Sequence, residues 1–383
     1  MSVNGFKVID SDLHCMEPPD LWERYLDPPF KHRAPKIIMN GVYDWRYVIE
    51  GKRLPYYDSV KQGGTPIVRT SSHTRAAERF RSAHERGWTP EVQLEAMEAE
   101  GLDMAVIYPT IGLFALALDD IESGFAAAIA RAYNNWLYDF CQANPQRLLG
   151  AAMLAPHSVE DAVLEARRSV REIGFKGVFL RPNLVHGRNW HDSYYEPLWA
   201  ELEALDVPMG FHEGASGLLP QTGERFGANR FMRHVSCHPM EMMLAAISMC
   251  GGGVLERYPR LRVAFLEANC GWLPWLLDRM DGHYEIEWGI TAEVLPQKPS
   301  VYFKRQCFVS AEADERFVKH VVAYLGDNSI VFSTDWPHPD AKYPRAVRSF
   351  LENDIPDVSK RKILWENCAR FYGLSSQALR DSG

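Results

Sequence analysis

Eight short runs of apolar, often β-branched residues recur along the chain, at Phe6–Ile9, Met104–Tyr108, Leu148–Leu154, Gly177–Leu180, Pro208–Phe211, Arg262–Leu266, Gln306–Val309 and Ile330–Ser333. Runs without polar alternation are what the strands of a parallel sheet need, because helices cover both of its faces. Amphipathic stretches of helical length separate several of them, among them Ile121–Asn144, Ser158–Ile173, Glu196–Leu205 and Met240–Tyr258. A β-then-α order repeated with right-handed crossovers either closes into a barrel or spreads into a doubly wound sheet.

The polar residues that end the runs decide between the two. Asp12 and His14 follow the first run, Arg181 the fourth, His212 and Glu213 the fifth, Glu267 the sixth and Asp335 the eighth. Each would be costly inside a core. A closed barrel brings the C-terminal ends of its strands to one mouth, whereas an open sheet scatters them along an edge. The expected fold is therefore α/β, a (β/α)₈ TIM barrel, and the 383 residues suit a single such domain over 1–383. Residues 28–90 break the rhythm, with many Arg, Tyr, Gly and short turns, and are expected as a long insertion after the first strand, over the mouth, as a lid or an oligomer contact. Ser216–Arg233 and Arg279–Pro299 form two further excursions.

A hydrophobic share of 46% with 24% charged residues is the profile of a globular protein. The net charge of -8 speaks against nucleic acid or an anionic membrane surface as partner, since phosphate would be repelled. The seven cysteines form no CxxC pair and are expected as reduced, mostly buried thiols. Neither a leader pattern at the N-terminus nor a long apolar run argues for export or a membrane span, so a cytoplasmic enzyme, expected as a homodimer, acting on a small molecule is the reading.

Asp12-Leu13-His14 sets two side chains at i and i+2, which on a strand share one face. Both can reach one ion. His212 and Asp335 join them from the fifth and eighth strands, and imidazole with carboxylate suits Zn²⁺ foremost, with Mn²⁺ or Fe²⁺ as alternatives, rather than an all-oxygen ion. Taken singly, each has an ordinary structural role, as a turn cap or a buried histidine; the joint pattern is what points to a metal.

Val8-Ile9-Asp10-Ser11-Asp12-Leu13-His14, Gly210-Phe211-His212, the run from Gly252 to Pro259, Gly271-Trp272-Leu273-Pro274 and the run from Phe332 to His338 appear in an order that resembles the amidohydrolase superfamily. Within it the resemblance is to the amidohydrolase-2 group, which includes aminocarboxymuconate semialdehyde and γ-resorcylate decarboxylases. It implies that Asp12, His14, His212 and Asp335 bind one metal. One segment departs. The family's decarboxylases carry a His-x-Gly-Gly-like stretch after strand six, whereas this chain has Leu266-Glu267-Ala268-Asn269-Cys270-Gly271, and counting back from Pro274 puts Ala268 at the histidine's place. Glu267 is adjacent, as a base or as a bridge to the metal.

Around this set, Glu213 is expected to orient His14 or His212, or to face solvent as a loop acid. Arg181 would grip a substrate carboxylate or pair with Glu213 or Glu267. His238, read as the entry to a helix beginning near Met240, would be neutral there and serve as a base, or merely cap the helix. His338 and Trp336 are candidates for contacting substrate. The function expected is a metal-dependent hydrolase, with Asp335 taking the proton of a bound water, acting on a small carboxylated or ring-derived amide, ester or diketone. The alternatives are a non-oxidative decarboxylase, with Asp335 protonating the carbon, and an inactive barrel kept for binding.

Overall fold

The computed structural model describes residues 3–42, 44–54, 71–214, 222–227, 229–286 and 295–374. Eight strands form one parallel sheet in the order β1 (Ile9–Cys15), β5 (Met104–Pro109), β6 (Leu148–Met153), β7 (Gly177–Leu180), β8 (Met209–His212), β9 (Val263–Leu266), β10 (Cys307–Glu312) and β11 (Ile330–Ser333). All but the last residue of β10 are buried, as the apolar runs require. The fold is a (β/α)₈ barrel.

Among the described residues no strand ladder joins β11 to β1; one backbone bond, from the His14 N–H to the Trp336 carbonyl (2.9 Å), and side chains close that seam. Ser11 Oγ donates to the Phe332 carbonyl (2.8 Å), Ser333 Oγ to the Asp12 carbonyl (3.0 Å), and Thr334 Oγ1 to Asp10 Oδ2 (2.5 Å). Asp10 Oδ1 also accepts the Asp12 N–H at 3.0 Å, where the register of β1 shifts against β5. Burial pushes the Asp10 carboxyl up to about 7 despite these donors. The seam matters for function because Asp12 and Asp335 stand on its two sides.

Several boundaries differ from expectation. The first strand begins at Ile9 rather than Phe6, because Phe6 pairs with Val3 around a turn in which Asn4 and Gly5 take positive φ. Asp12 and His14 thus lie within β1, not after it. Gln306 ends the helix Pro299–Gln306 and spans to the Tyr258 and Leu261 carbonyls instead of starting β10. The helix expected from Met240 starts at Arg230, where the Asn229 side chain accepts the Met232 N–H, and it carries Pro239 inside. His238 is therefore inside a helix rather than at its entry.

Of the segment 28–90, the described part holds a 3₁₀ turn (Pro28–Arg33), an antiparallel sheet of β2 (Lys36–Gly41), β3 (Asp44–Ile49) and β4 (Lys52–Leu54), and helices Ser71–Arg79 and Arg81–Glu85; residues 55–70 lie outside the described residues. It meets loops at the C-terminal ends of two strands. Arg33 pairs with Glu122 (2.5 Å) and Lys52 with Asp120 (2.6 Å) beyond β5, while Phe80 and Trp88 pack on Trp336 beyond β11. The excursions expected at 216–233 and 279–299 fall partly on residues 215–221, 228 and 287–294, outside the described residues. All seven cysteines are free and buried, and among the described residues no helix is long and apolar enough to cross a membrane.

Candidate metal centre

At the C-terminal ends of the strands, five side chains expected from sequence aim at one point. Asp12 Oδ1 is 3.1 Å from His212 Nε2 and 3.7 Å from His14 Nε2; Glu267 Oε2 is 3.1 Å from His212 Nε2 and 3.6 Å from His14 Nε2; Asp335 Oδ1 is 3.5 Å from His14 Nε2. Two ligands bonded at roughly 2.0–2.2 Å to one ion lie about 3.0–3.5 Å apart, so these spacings fit a shared cation.

The imidazoles are prepared for it. His14 Nδ1 donates to the Pro109 carbonyl (2.6 Å) and His212 Nδ1 to the Glu213 carbonyl (3.0 Å), which leaves each Nε2 as a lone pair facing the cluster. Burial, with the neighbouring imidazoles of His338 and His212, holds His14 well below the usual histidine range, hence neutral. Both oxygens of Asp12, both Nε2 atoms and Glu267 Oε2 are buried with no hydrogen bond among the described residues. Orphaned buried acceptors gathered at one point fit a bound divalent ion.

Local structure explains the aim. Tyr108 lies flat against His212, ring centroids 5.3 Å apart, and its hydroxyl meets that of Tyr372 at 2.9 Å. Gly210 makes room for it, since a Cβ there would stand 2.9 Å from the Tyr108 hydroxyl. Glu267 and Asp335, each just past a strand, take φ of +49° and +57°. Left-handed backbone costs a non-glycine residue about 1–2 kcal/mol. It turns both carboxylates inward.

Around this centre lie two histidine–carboxylate pairs. His338 Nδ1 is 2.6 Å from Asp335 Oδ1, and His238 Nε2 is 3.0 Å from Glu213 Oε2 while its Nδ1 donates to the Glu267 carbonyl (2.8 Å). Burial works against a charged His238, but the Glu213 carboxylate and the Glu267 carbonyl overcome it and push the imidazole up to about 9. The expectation of His238 at a helix entry is corrected: it lies inside the helix Arg230–Ala246, between the Glu213 carboxylate and the Glu267 carbonyl, which favour its charged form. Burial likewise opposes, and Asp335 reverses, the shift of His338, which ends above the usual histidine range. Burial raises Asp335 itself, and burial with the carboxylates of Asp335 and Asp12 pushes Glu267 well above the carboxylate range.

Two sequence candidates are not brought to the cluster. Arg181 spends the two terminal nitrogens of its guanidinium on Asp119, on the Leu116 carbonyl (2.5 Å) and on the Leu184 carbonyl (2.9 Å). Trp336 is buried among Phe80, Trp88 and Tyr343, tying the insertion to the eighth strand. Ala268, placed by counting at the histidine's position, only lends its carbonyl to the Trp272 indole (3.1 Å); the side chain that faces the centre is Glu267. Glu312, closing β10, was missed. Burial and then Asp335 push it up to about 8. It ends its apolar run as His212 ends the fifth, and that signal could have found it.

Residues 9–374 match the family described as amidohydrolase. The chain is 25% identical to a 2-amino-3-carboxymuconate-6-semialdehyde decarboxylase of Dictyostelium discoideum, over 77% of this chain and 79% of that one. It is 26% identical to a gamma-resorcylate decarboxylase of Polaromonas sp. (strain JS666), over 74% and 87%. A crystal structure of a dihydroxybenzoic acid decarboxylase from Polaromonas sp. JS666, with bound manganese and the inhibitor 2-nitroresorcinol, superposes with a TM-score of 0.70 at 20% identity, covering 98% of this chain and 99% of that one.

Proposed function

The chain belongs to the amidohydrolase family, and on that premise we propose that it is a metal-dependent, non-oxidative decarboxylase of a small aromatic or enoic carboxylic acid. The observation that carries this reading is the similarity, over 77% and 74% of the chain, to two relatives that are both decarboxylases. Asp12, His14, His212 and Asp335 would hold one divalent ion of the manganese, iron or zinc type. When bound, it supplies a positive charge that grips a substrate oxygen and draws electron density from the carbon bearing the carboxylate.

The remaining work falls to the chain's own groups. The bond from that carbon to the carboxylate breaks, CO₂ leaves, and the electron pair left on the carbon takes a proton. Asp335 is the proposed donor, replenished by His338, whose Nδ1 stands 2.6 Å from Asp335 Oδ1. His338 and His238, both held towards the charged form, favour entry of an anionic acid into a centre crowded with carboxylates. Arg181, closed by its own partners, is not needed for that step.

One observation favours a second reading, the metal-dependent hydrolase. Glu267 brings a carboxylate to the centre beside Ala268, with its Oε2 buried and without a hydrogen bond among the described residues, and a carboxylate can take a proton from water. Incubating the Mn²⁺-loaded enzyme with a panel of hydroxybenzoic and carboxylated enoic acids separates the two. Decarboxylation releases CO₂ and, in D₂O, leaves deuterium at the vacated carbon. Turnover of an amide, ester or diketone with ¹⁸O taken from H₂¹⁸O, and no CO₂ from any acid, overturns the proposal.

A further inference from the structure

Glu267 has the geometry of a ligand more than that of a bystander. Its Oε2 stands 3.1 Å from His212 Nε2 and 3.6 Å from His14 Nε2, spacings that match those of Asp12 Oδ1 to the same two nitrogens, 3.1 and 3.7 Å. The two carboxylate oxygens thus flank the same pair of imidazole lone pairs, and neither has a hydrogen-bond donor among the described residues. No lysine or arginine pairs with Glu267 among the described residues; its ionic neighbours are His14, His212, His238 and His338. The residue is also fixed at both ends of its peptide: its N–H donates to Ser310 Oγ (3.0 Å) and its carbonyl accepts from His238 Nδ1 (2.8 Å), which holds the left-handed backbone that turns the side chain inward.

We propose that Glu267 is itself a ligand of the mouth's divalent ion, a fifth protein donor beside Asp12, His14, His212 and Asp335, and that it leaves a single position for an oxygen of the substrate. This rests on the reading that the mouth binds one ion. Three carboxylates that converge in a buried space repel one another, and a dication shared among them offsets that cost. With six positions around an ion such as Mn²⁺, five protein donors admit one substrate oxygen. An acid offering a carboxylate and a neighbouring hydroxyl then gains nothing from its second oxygen unless Glu267 swings away, so the specificity favoured is for single-oxygen attachment rather than chelation.

Two measurements on the full-length chain test this. In the first, Mn²⁺ is titrated into chelator-stripped protein and the free ion is followed by electron paramagnetic resonance, with circular dichroism to confirm the fold of each variant. Wild type is expected to bind one Mn²⁺, Glu267→Gln to bind it about 100-fold more weakly, a loss at least as large as supporting groups around metals cause, and Glu267→Asp to fall between. Binding by Glu267→Gln within about threefold of wild type overturns the ligand role. In the second, benzoate and 2-hydroxybenzoate are titrated against Mn²⁺-loaded wild type, which decides the matter even if the variants do not fold. Affinities within about threefold are expected; a preference of more than about tenfold for 2-hydroxybenzoate overturns the proposal. His212→Ala tells the two layers apart. If wild type and His212→Ala alike bind no Mn²⁺, the reading of the mouth as a metal centre fails and this proposal with it; if wild type binds, His212→Ala does not and Glu267→Gln binds normally, only the role of Glu267 falls.

Discussion

Arg181 and Glu267 occupy the same formal place, the first residue after a buried parallel strand at the barrel's C-terminal end, yet they have opposite fates. Arg181, after β7, gives both terminal nitrogens to Asp119 and to the Leu116 and Leu184 carbonyls, and only its buried Nε lacks a hydrogen bond among the described residues. Glu267, after β9, keeps Oε2 buried without a hydrogen bond among the described residues, and the Nε2 atoms of His14 and His212 are left in the same state. A charged group at a strand end is thus a candidate for chemistry when its charged terminus is left unsatisfied beside other unsatisfied groups, as at Glu267, and not when that terminus is taken up, as at Arg181. The difference lies in loops. The loop after β5 reaches across to supply Asp119 to Arg181, whereas the loop after β9 uses its own donors elsewhere, giving the Cys270 and Gly271 N–H groups to Glu315.

The unsatisfied side of that contrast is broken most severely at His212. With its Nδ1 tied to the Glu213 carbonyl, its Nε2 serves the cluster alone, so His212→Ala removes a donor together with the ring's contacts to Tyr108 and His14. Metal affinity is expected to fall by more than about 100-fold and turnover by roughly 10³-fold, with the circular dichroism spectrum kept. Stoichiometric metal in this variant, measured by plasma emission after gel filtration, would remove the ground for treating orphaned atoms as a sign of function.

The closed side predicts the reverse. Arg181→Met keeps most of the apolar stem and strands Asp119, the His186 N–H partner, together with two carbonyls. Stability should fall by about 1–3 kcal/mol, the usual cost of leaving buried polar partners unmade, while kcat stays within a few-fold. A variant as stable as wild type but unable to bind a carboxylic acid that wild type binds would show that Arg181 reaches the ligand after all, and the contrast would collapse.

Much of this was legible in sequence. The apolar runs located seven of the eight strands to within about three residues, because a strand buried on both faces has no alternative composition, while the first run shared only Ile9 with β1; Asp12, His14, His212 and Asp335 stood out because such groups are too costly to bury without purpose. What sequence hid was pairing across loops. Nothing near Arg181 announces Asp119, which lies 62 residues away. Pro239 reads as a helix start, yet the helix runs through it from Arg230. Counting from Pro274 assumes a turn of standard length, and the left-handed Glu267 and Asn269 reshape that turn so that Glu267 faces in. Glu312 escaped because its run was read as ending at Val309.

The finest test uses a histidine that looks like a ligand and is not at the centre. His157 gives Nε2 to the Leu118 carbonyl (2.8 Å) and leaves Nδ1 buried without a hydrogen bond among the described residues, one ring nitrogen bonded and one bare as in His14, but it faces His186 beyond the Arg181–Asp119 pair rather than a gathering of carboxylates. Burial, outweighing the Leu118 carbonyl, lowers it to about 4. An unfolded histidine titrates near 6.5. Between these values the unfolded chain takes up a proton that the fold refuses, so the contribution of His157 is fully present above about pH 6.5 and is lost as pH falls towards 4. At pH 5 the loss is about 2 kcal/mol, or a few degrees in Tm. His157→Gln can still donate to Leu118 and has no proton to gain. Other titrating groups, the metal centre included, act on both proteins alike, so the informative quantity is the difference in Tm between wild type and variant from pH 7 to pH 5. That difference should move in the variant's favour as the solution is acidified. Parallel curves would mean that the buried Nδ1 accepts a proton at little cost, and an orphaned ring nitrogen would then no longer mark His14 and His212 as prepared for a cation.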